Sequence, residues 1–121
     1  MKMRLFLADD HPQVRSALRL ALGQDPGIRV IAEAGSAQEV MQRLPLAPTD
    51  LVVLDWGLPG RGSQGLIAWI RTHCPEVRIL ALSGRPEAEA EALAEGVDAF
   101  VSKGDPPARL FSALGQLRHR R

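Results

Sequence analysis

The chain has 121 residues, enough for one compact domain that buries a core without staples. A formal net charge of +1, with 24% charged and 45% hydrophobic residues, argues against a strongly basic nucleic-acid surface and against an acidic tail. The single Cys74 excludes an internal disulfide, no Cys/His group has zinc spacing, and no apolar run approaches the roughly 20 residues of a membrane span. The start, MKMRLFLADD, lacks a small-residue cleavage site and does not read as a signal peptide. A reducing cytoplasm is the expected compartment.

Taken in chain order, short apolar runs alternate with segments of helical period. MRLFLA (Met3 to Ala8) is a strand, and His11 to Leu22 follows as a helix with Val14, Leu18, Ala21 and Leu22 at helical spacing. RVIA (Arg29 to Ala32) is a second strand. Ser36 to Leu44 is a helix, with Ser36 as N-cap and Glu39 three residues on, a capping box. LVVL (Leu51 to Leu54), apolar without alternation, is a buried strand. Ser63 to Cys74 is a helix ended by Pro75. VRILAL (Val77 to Leu82) is a fourth strand, and Pro86 to Glu95 an Ala/Glu-rich helix closed by Gly96, with Leu93 its one large apolar anchor. Ala99 to Val101 is a short fifth strand. Pro106 to Leu117 is the last helix, with Asp105 as N-cap and Leu110, Phe111, Leu114 and Leu117 on one face.

Strands alternating with helices imply an α/β fold with a parallel sheet covered on both faces. The expectation is a doubly wound five-stranded sheet of order 2-1-3-4-5, whose ligands bind at the carboxyl ends of the strands near the switch between strands 1 and 3. Strand 1 ends in Asp9 and Asp10, strand 3 in Asp55 and strand 4 in Ser83, while Lys103 follows strand 5. Three carboxylates on one small patch repel one another unless a cation sits among them. A hard divalent ion with oxygen ligands, Mg²⁺, meets that need. With a lysine and a hydroxyl, the patch has the parts for phosphoryl transfer. Each residue alone has an ordinary explanation: Asp9 and Asp10 as helix caps, Asp55 as a turn residue, Ser83 as a loop serine, Lys103 as a solvated lysine. Their joint placement at one edge of one sheet outweighs those explanations.

GRGSQG (Gly60 to Gly65) matches the dinucleotide pattern G-x-G-x-x-G. That loop belongs directly after the first strand, with an acid ending the next. Here it begins five residues after Asp55, and the next strand ends in Ser83. The glycines therefore read as a turn over the acidic patch, with Gly57 leaving Asp55 accessible. ADDHPQVR after strand 1 does not suit a flavin phosphate loop, and no P-loop is present.

FLADDHPQVR, LVVLDWGLPG, ILALSG and AFVSKGD, in this order, resemble the receiver domains of bacterial two-component response regulators over essentially the whole chain. ADDHPQVR, IAEAGSAQEV and SKGD look most like the subgroup joined to NarL/LuxR-type DNA-binding domains. The resemblance implies a CheY-like, flavodoxin-like receiver spanning residues 1–121, with the last few residues the start of a linker to an absent output domain. It implies that Asp55 accepts a phosphoryl group from a sensor histidine kinase or a small phosphodonor. Asp10 would ligate Mg²⁺ directly, Asp9 through water, and Gly57 through its main-chain carbonyl, with Asp55 completing the set. Ser83 would donate its hydroxyl to the phosphate, Lys103 would pair with it, and Phe100 stands where the family places a switch aromatic, here without a hydroxyl. Gly104 follows Lys103 where many receivers have proline, so no cis peptide is expected, and WGLPG replaces the commoner Met-Pro. Trp56 and Trp69 read as packing residues.

The implied role is a signalling domain that assists its own phosphorylation and dephosphorylation, not an enzyme with a released substrate. Phosphorylation would switch the face of helix 4, strand 5 and helix 5 toward an output domain, covalently linked or separate, with a homodimer left open. RHRR (residues 118–121) reads as a solvated helix end, and this chain is expected neither to bind nucleic acid itself nor to meet a membrane. Two other classes stay in view. One is a receiver-like interaction module independent of phosphorylation. The other is a small metal-dependent phosphatase or cofactor enzyme, which would need a substrate pocket and an acid-base group, His11 being the one histidine near the site.

Overall fold

The alternating apolar runs build a central sheet. The computed structural model describes residues 2–60 and 63–118. Strands β1 (Met3–Ala8), β2 (Ile28–Ala34), β3 (Leu51–Asp55), β4 (Arg78–Ser83) and β5 (Ala99–Ser102) are all parallel and lie in the order β2-β1-β3-β4-β5, as expected. Helices α1 (Pro12–Gly23), α2 (Ala37–Arg43), α3 (Ser63–His73), α4 (Glu89–Ala94) and α5 (Pro107–Arg118) connect and follow them.

The two-residue period of the strands divides the core in two. Leu5, Leu7, Leu51, Val53, Leu80, Leu82 and Val101 point to one side, where they meet Leu22 of α1 and Leu110, Leu114 and Leu117 of α5. Phe6, Ala8, Val52, Leu54, Ile79, Ala81 and Phe100 point to the other, against Val40 of α2, Leu66, Ile67 and Ile70 of α3 and Ala92 of α4. β3 is buried along its full length, as its unbroken apolar run requires. Each fully buried Leu, Ile or Phe contributes roughly 1.5–3 kcal/mol of transfer free energy, so this two-sided sheet is the rigid base of everything at its edge.

The elements depart from the sequence expectation most clearly as follows. β2 runs from Ile28 to Ala34, longer than RVIA, with a register shift opposite Leu5/Phe6 that inserts one residue. The expected helix over residues 86–95 is a 3₁₀ turn (Pro86–Ala88) followed by the short α4, because Ala88 sits at ψ −7°, off the helical value. Leu93 is not its anchor: it is 47% exposed, and Ala88 and Ala92, one turn apart, face the core instead. α5 starts at Pro107, two residues after Asp105, whose carboxylate accepts from the Ser102 N–H (3.2 Å) and lies 3.9 Å from Arg109 Nε.

Ser36 does cap α2, accepting from the Glu39 N–H at 3.2 Å, while the Glu39 carboxylate reaches the Gly35 N–H (2.7 Å), one residue before the cap. Gly60 takes φ +120°, and a Cβ there would lie 3.0 Å from Ala37 Cβ, so the loop after β3 turns tightly against α2. Arg61 and Gly62, at the centre of the GRGSQG match, lie outside the described residues, as do residues 119–121 of the basic tail. Trp56 is buried, and Trp69 stacks on His73 with ring centroids 4.3 Å apart. No cis peptide occurs among the described residues, and no helix among them is long and apolar enough to cross a membrane.

Candidate functional site

The register of the sheet assembles the acidic residues. Ala8 pairs with Leu54 across the β1–β3 boundary, so Asp9 and Asp55 leave the sheet side by side. Asp9, Asp10, His11 and Asp55 each offer a ligand atom within 4.8 Å of the others. Asp9 is 1% exposed and Asp55 6%, so two of the three carboxylates are almost withdrawn from water.

Asp9 is held on every side. Its Oδ1 accepts from the His11 N–H (2.9 Å), its Oδ2 accepts from Lys103 Nζ (3.2 Å), and its own N–H donates to the Ala34 carbonyl (3.0 Å). Lys103 Nζ also lies 3.5 Å from Asp55 Oδ1. The lysine arrives there because Ser83 and Ser102 are register partners and the Lys103 N–H donates to the Ser83 carbonyl (2.8 Å). Asp55 Oδ1 accepts from the Gly57 N–H at 3.1 Å, a local turn, and a Cβ on Gly57 would lie 3.7 Å from that oxygen.

Asp10 differs from its neighbours. Its Oδ1 is buried and accepts no hydrogen bond; His11 Nδ1 lies 3.1 Å away without hydrogen-bond geometry. Burial holds the Asp55 carboxyl above its ordinary pKa, and Asp9 and Asp10 push the same way, against the Gly57 N–H and Lys103. One lysine therefore stands against three crowded carboxylates. A buried carboxylate oxygen without a hydrogen bond, among other carboxylate oxygens, is what a hard divalent cation accepts, so the residues fit Mg²⁺.

The remaining expected residues stand around this group. Ser83 is buried at the end of β4, and its hydroxyl accepts from the Arg85 N–H (3.0 Å). Phe100 is a core residue of β5 in register with Ala81. Trp56, next to Asp55 in the chain, donates from Nε1 to Glu91 Oε1 of α4 at 3.4 Å. Sequence reasoning missed Arg15, whose Nη1 donates to the Asp9 carbonyl (2.7 Å). No residue pattern marks it, because its partner is a main-chain carbonyl.

The response regulator receiver domain model matches residues 5–115. The chain belongs to the response regulator receiver domain family. Among curated proteins the receiver is 38% identical over 103 residues to DevR/DosR of Mycobacterium tuberculosis, a DNA-binding transcriptional activator, covering 84% of this chain and 48% of that protein. It is 28% identical over 114 residues to the nitrate/nitrite response regulator NarL of Escherichia coli, covering 93% of this chain and 53% of NarL. Among solved structures, a LuxR-family two-component response regulator from Aurantimonas sp. SI85-9A1 superposes with a TM-score of 0.90 at 33% identity, covering 100% of this chain and 89% of that one. The receiver thus falls in the NarL/LuxR subgroup, and it spans about half the length of the curated relatives it matches.

Proposed function

We propose that this receiver accepts a phosphoryl group on Asp55 and passes the change to an output domain. The observation that carries the reading is the group of Asp9, Asp10 and Asp55 at adjoining strand ends, with Lys103 reaching both Asp9 and Asp55 and one buried Asp10 oxygen left without a hydrogen bond. Asp10, Asp55 and the Gly57 carbonyl would hold Mg²⁺, with Asp9 acting through water. Bound there, Mg²⁺ supplies positive charge that offsets the carboxylates and the transferred oxygens.

The rest of the chemistry belongs to the chain. An ionised Asp55 oxygen forms the new P–O bond as the donor's P–N bond, in a phosphohistidine, or P–O bond, in an acyl phosphate, breaks in line. The leaving group takes the bonding pair and, if it is an imidazole, a proton from solvent. Lys103 pairs with the phosphoryl oxygens. Ser83 gives up its Arg85 contact to donate to them, and Phe100 and α4 follow. The small, alanine-seated contact of α4 suits an element that must move. Phosphorylation adds charge and strong acceptors at this one edge, which biases the α4–β5–α5 face.

In this account residues 1–121 act as a single receiver in the cytoplasm. Its partners are a sensor histidine kinase and an output domain, linked or separate, with a second copy of the receiver as a homodimer partner. The chain assists its own phosphorylation and dephosphorylation and contacts neither nucleic acid nor membrane itself. The test is intact mass after incubation with Mg²⁺ and acetyl phosphate, with Asp55→Ala alongside. The expected result is a gain of ~80 Da in the wild type only. No gain, together with no beryllofluoride binding, would overturn the phosphoacceptor role and leave a phosphorylation-independent interaction module.

A further inference from the structure

Beyond the residues that touch the phosphoryl group or the ion, we propose that Arg15 is the positioning residue for the acidic pair, fixing the peptide plane from which Asp10 presents its carboxylate. The inference rests on the reading of Asp10 as a Mg²⁺ ligand.

The geometry is specific. Arg15 Nη1 donates to the Asp9 carbonyl at 2.7 Å. That carbonyl belongs to the peptide between Asp9 and Asp10. A peptide unit is planar, so holding its oxygen sets the orientation of the Asp10 Cα and everything beyond it. The Asp9 side of the same loop is already pinned by its N–H on Ala34, by His11 and by Lys103. Asp10 has no such support: its side chain is 29% exposed, and its Oδ1 is buried without a hydrogen bond. Arg15 is therefore the one described contact that sets the Asp9–Asp10 plane from its carbonyl side.

Arg15 is itself anchored. Its Nε donates to Glu33 Oε1 (3.1 Å), and Arg19 Nη1 donates to the other Glu33 oxygen (2.7 Å). Arg43 of α2 donates to the Glu33 main-chain carbonyl (2.7 Å), so β2 and α2 brace the glutamate in turn. Gly35 leaves the guanidinium its space: a Cβ there would lie 3.2 Å from Arg15 Nη1. A planar fork that bonds two acceptors at once is what arginine offers and lysine does not.

Two effects of removing Arg15 oppose each other, and this makes the sign of the result decisive. Loss of a nearby cation would favour Mg²⁺ binding. Loss of the fixed peptide plane would weaken it, and residues that orient metal ligands typically contribute 10–100-fold in affinity. Glu33, shared by Arg15 and Arg19, offsets only part of that charge, and the proposal is that the positioning effect is the larger of the two.

The experiment is a Mg²⁺ titration of the whole chain, followed by the amide NMR shifts of residues 9–11 and 55–57, for wild type, Arg15→Met and Arg15→Lys. The dissociation constant should rise about tenfold in Arg15→Met and less in Arg15→Lys, which keeps the charge but loses the fork. Unchanged or tighter binding in Arg15→Met would overturn the proposal. Hydrogen exchange without Mg²⁺ is the second measurement. The His11 N–H, bonded to Asp9 Oδ1, should exchange faster in Arg15→Met while the β3 and β4 amides keep wild-type protection. Equal exchange at His11 would also overturn it. Should wild type show no saturable Mg²⁺ shifts, the ion-site reading fails, and His11 exchange still decides whether Arg15 fixes the loop.

Discussion

At the residue scale, Asp55 is placed where its charge is unwelcome until something compensates it. Burial and the two neighbouring carboxylates raise its pKa, and Lys103 and the Gly57 N–H only partly offset them. A raised carboxyl pKa means that the folded state holds the proton more tightly than the unfolded chain does. The associated stability is present below the ordinary aspartate value and is lost as pH rises through the raised one. At neutral pH the ionised Asp55 therefore works against the ion-free fold. Asp55→Asn should be the more stable protein at pH 7 without Mg²⁺, its Tm higher by about 4 °C for each kcal/mol relieved. The gap to wild type should close as pH falls below the Asp55 transition. Thermal melts of both proteins between pH 4 and 8, in chelator, check this; a wild type more stable than Asp55→Asn at pH 7 would contradict it.

At the element scale, α4 is the least firmly seated of the helices that face the β4–β5 edge. Its six residues bury only Ala92, with Ala88 just before it, and its polar tie to the site is the Glu91–Trp56 contact. Leu93 faces outward, so Leu93→Ser should shift stability by less than ~0.5 kcal/mol. Ala92→Leu forces extra volume against the sheet and should destabilise by about 1–3 kcal/mol. Urea unfolding of the two variants measures both, and a larger loss in Leu93→Ser would return the anchor role to Leu93. The sequence misdirected here for a physical reason. In PEAEAEALAEG the alanines and glutamates give little apolar contrast, so the one leucine dominates the pattern while the two alanines carry the contact. The strands were easier to read: LVVL and, after Arg78, ILAL are unbroken apolar runs that suit a two-sided parallel sheet, and both belong to interior strands.

At the scale of the whole molecule, the strand order does the work of assembling the site. Asp9 and Asp55 are 46 residues apart in sequence, and Lys103 and Asp9 are 94 apart. Each could be nominated from the sequence because it ends or follows a predicted strand, and the order 2-1-3-4-5 then brings those ends together. What could not be nominated were the bonds between a side chain and a distant main chain. Arg15 on the Asp9 carbonyl and Arg43 on the Glu33 carbonyl leave no residue pattern, because every residue has a carbonyl. The same holds for the inserted residue in β2, which follows from the twist and fit of two strands rather than from composition.

On the proposed reading, three carboxylates and a lysine at one edge of this sheet form a site for Mg²⁺ and a phosphoryl group on Asp55. Its most direct test is the thermal stability of wild type and Asp55→Asn with Mg²⁺ and beryllofluoride added together. Ligands that bind only the folded state stabilise it by ~2.7 kcal/mol at a hundred times their dissociation constant. Tm should rise clearly for wild type and, for Asp55→Asn, no further than with Mg²⁺ alone. No rise in a folded wild type, or an equal rise in both proteins, would contradict it.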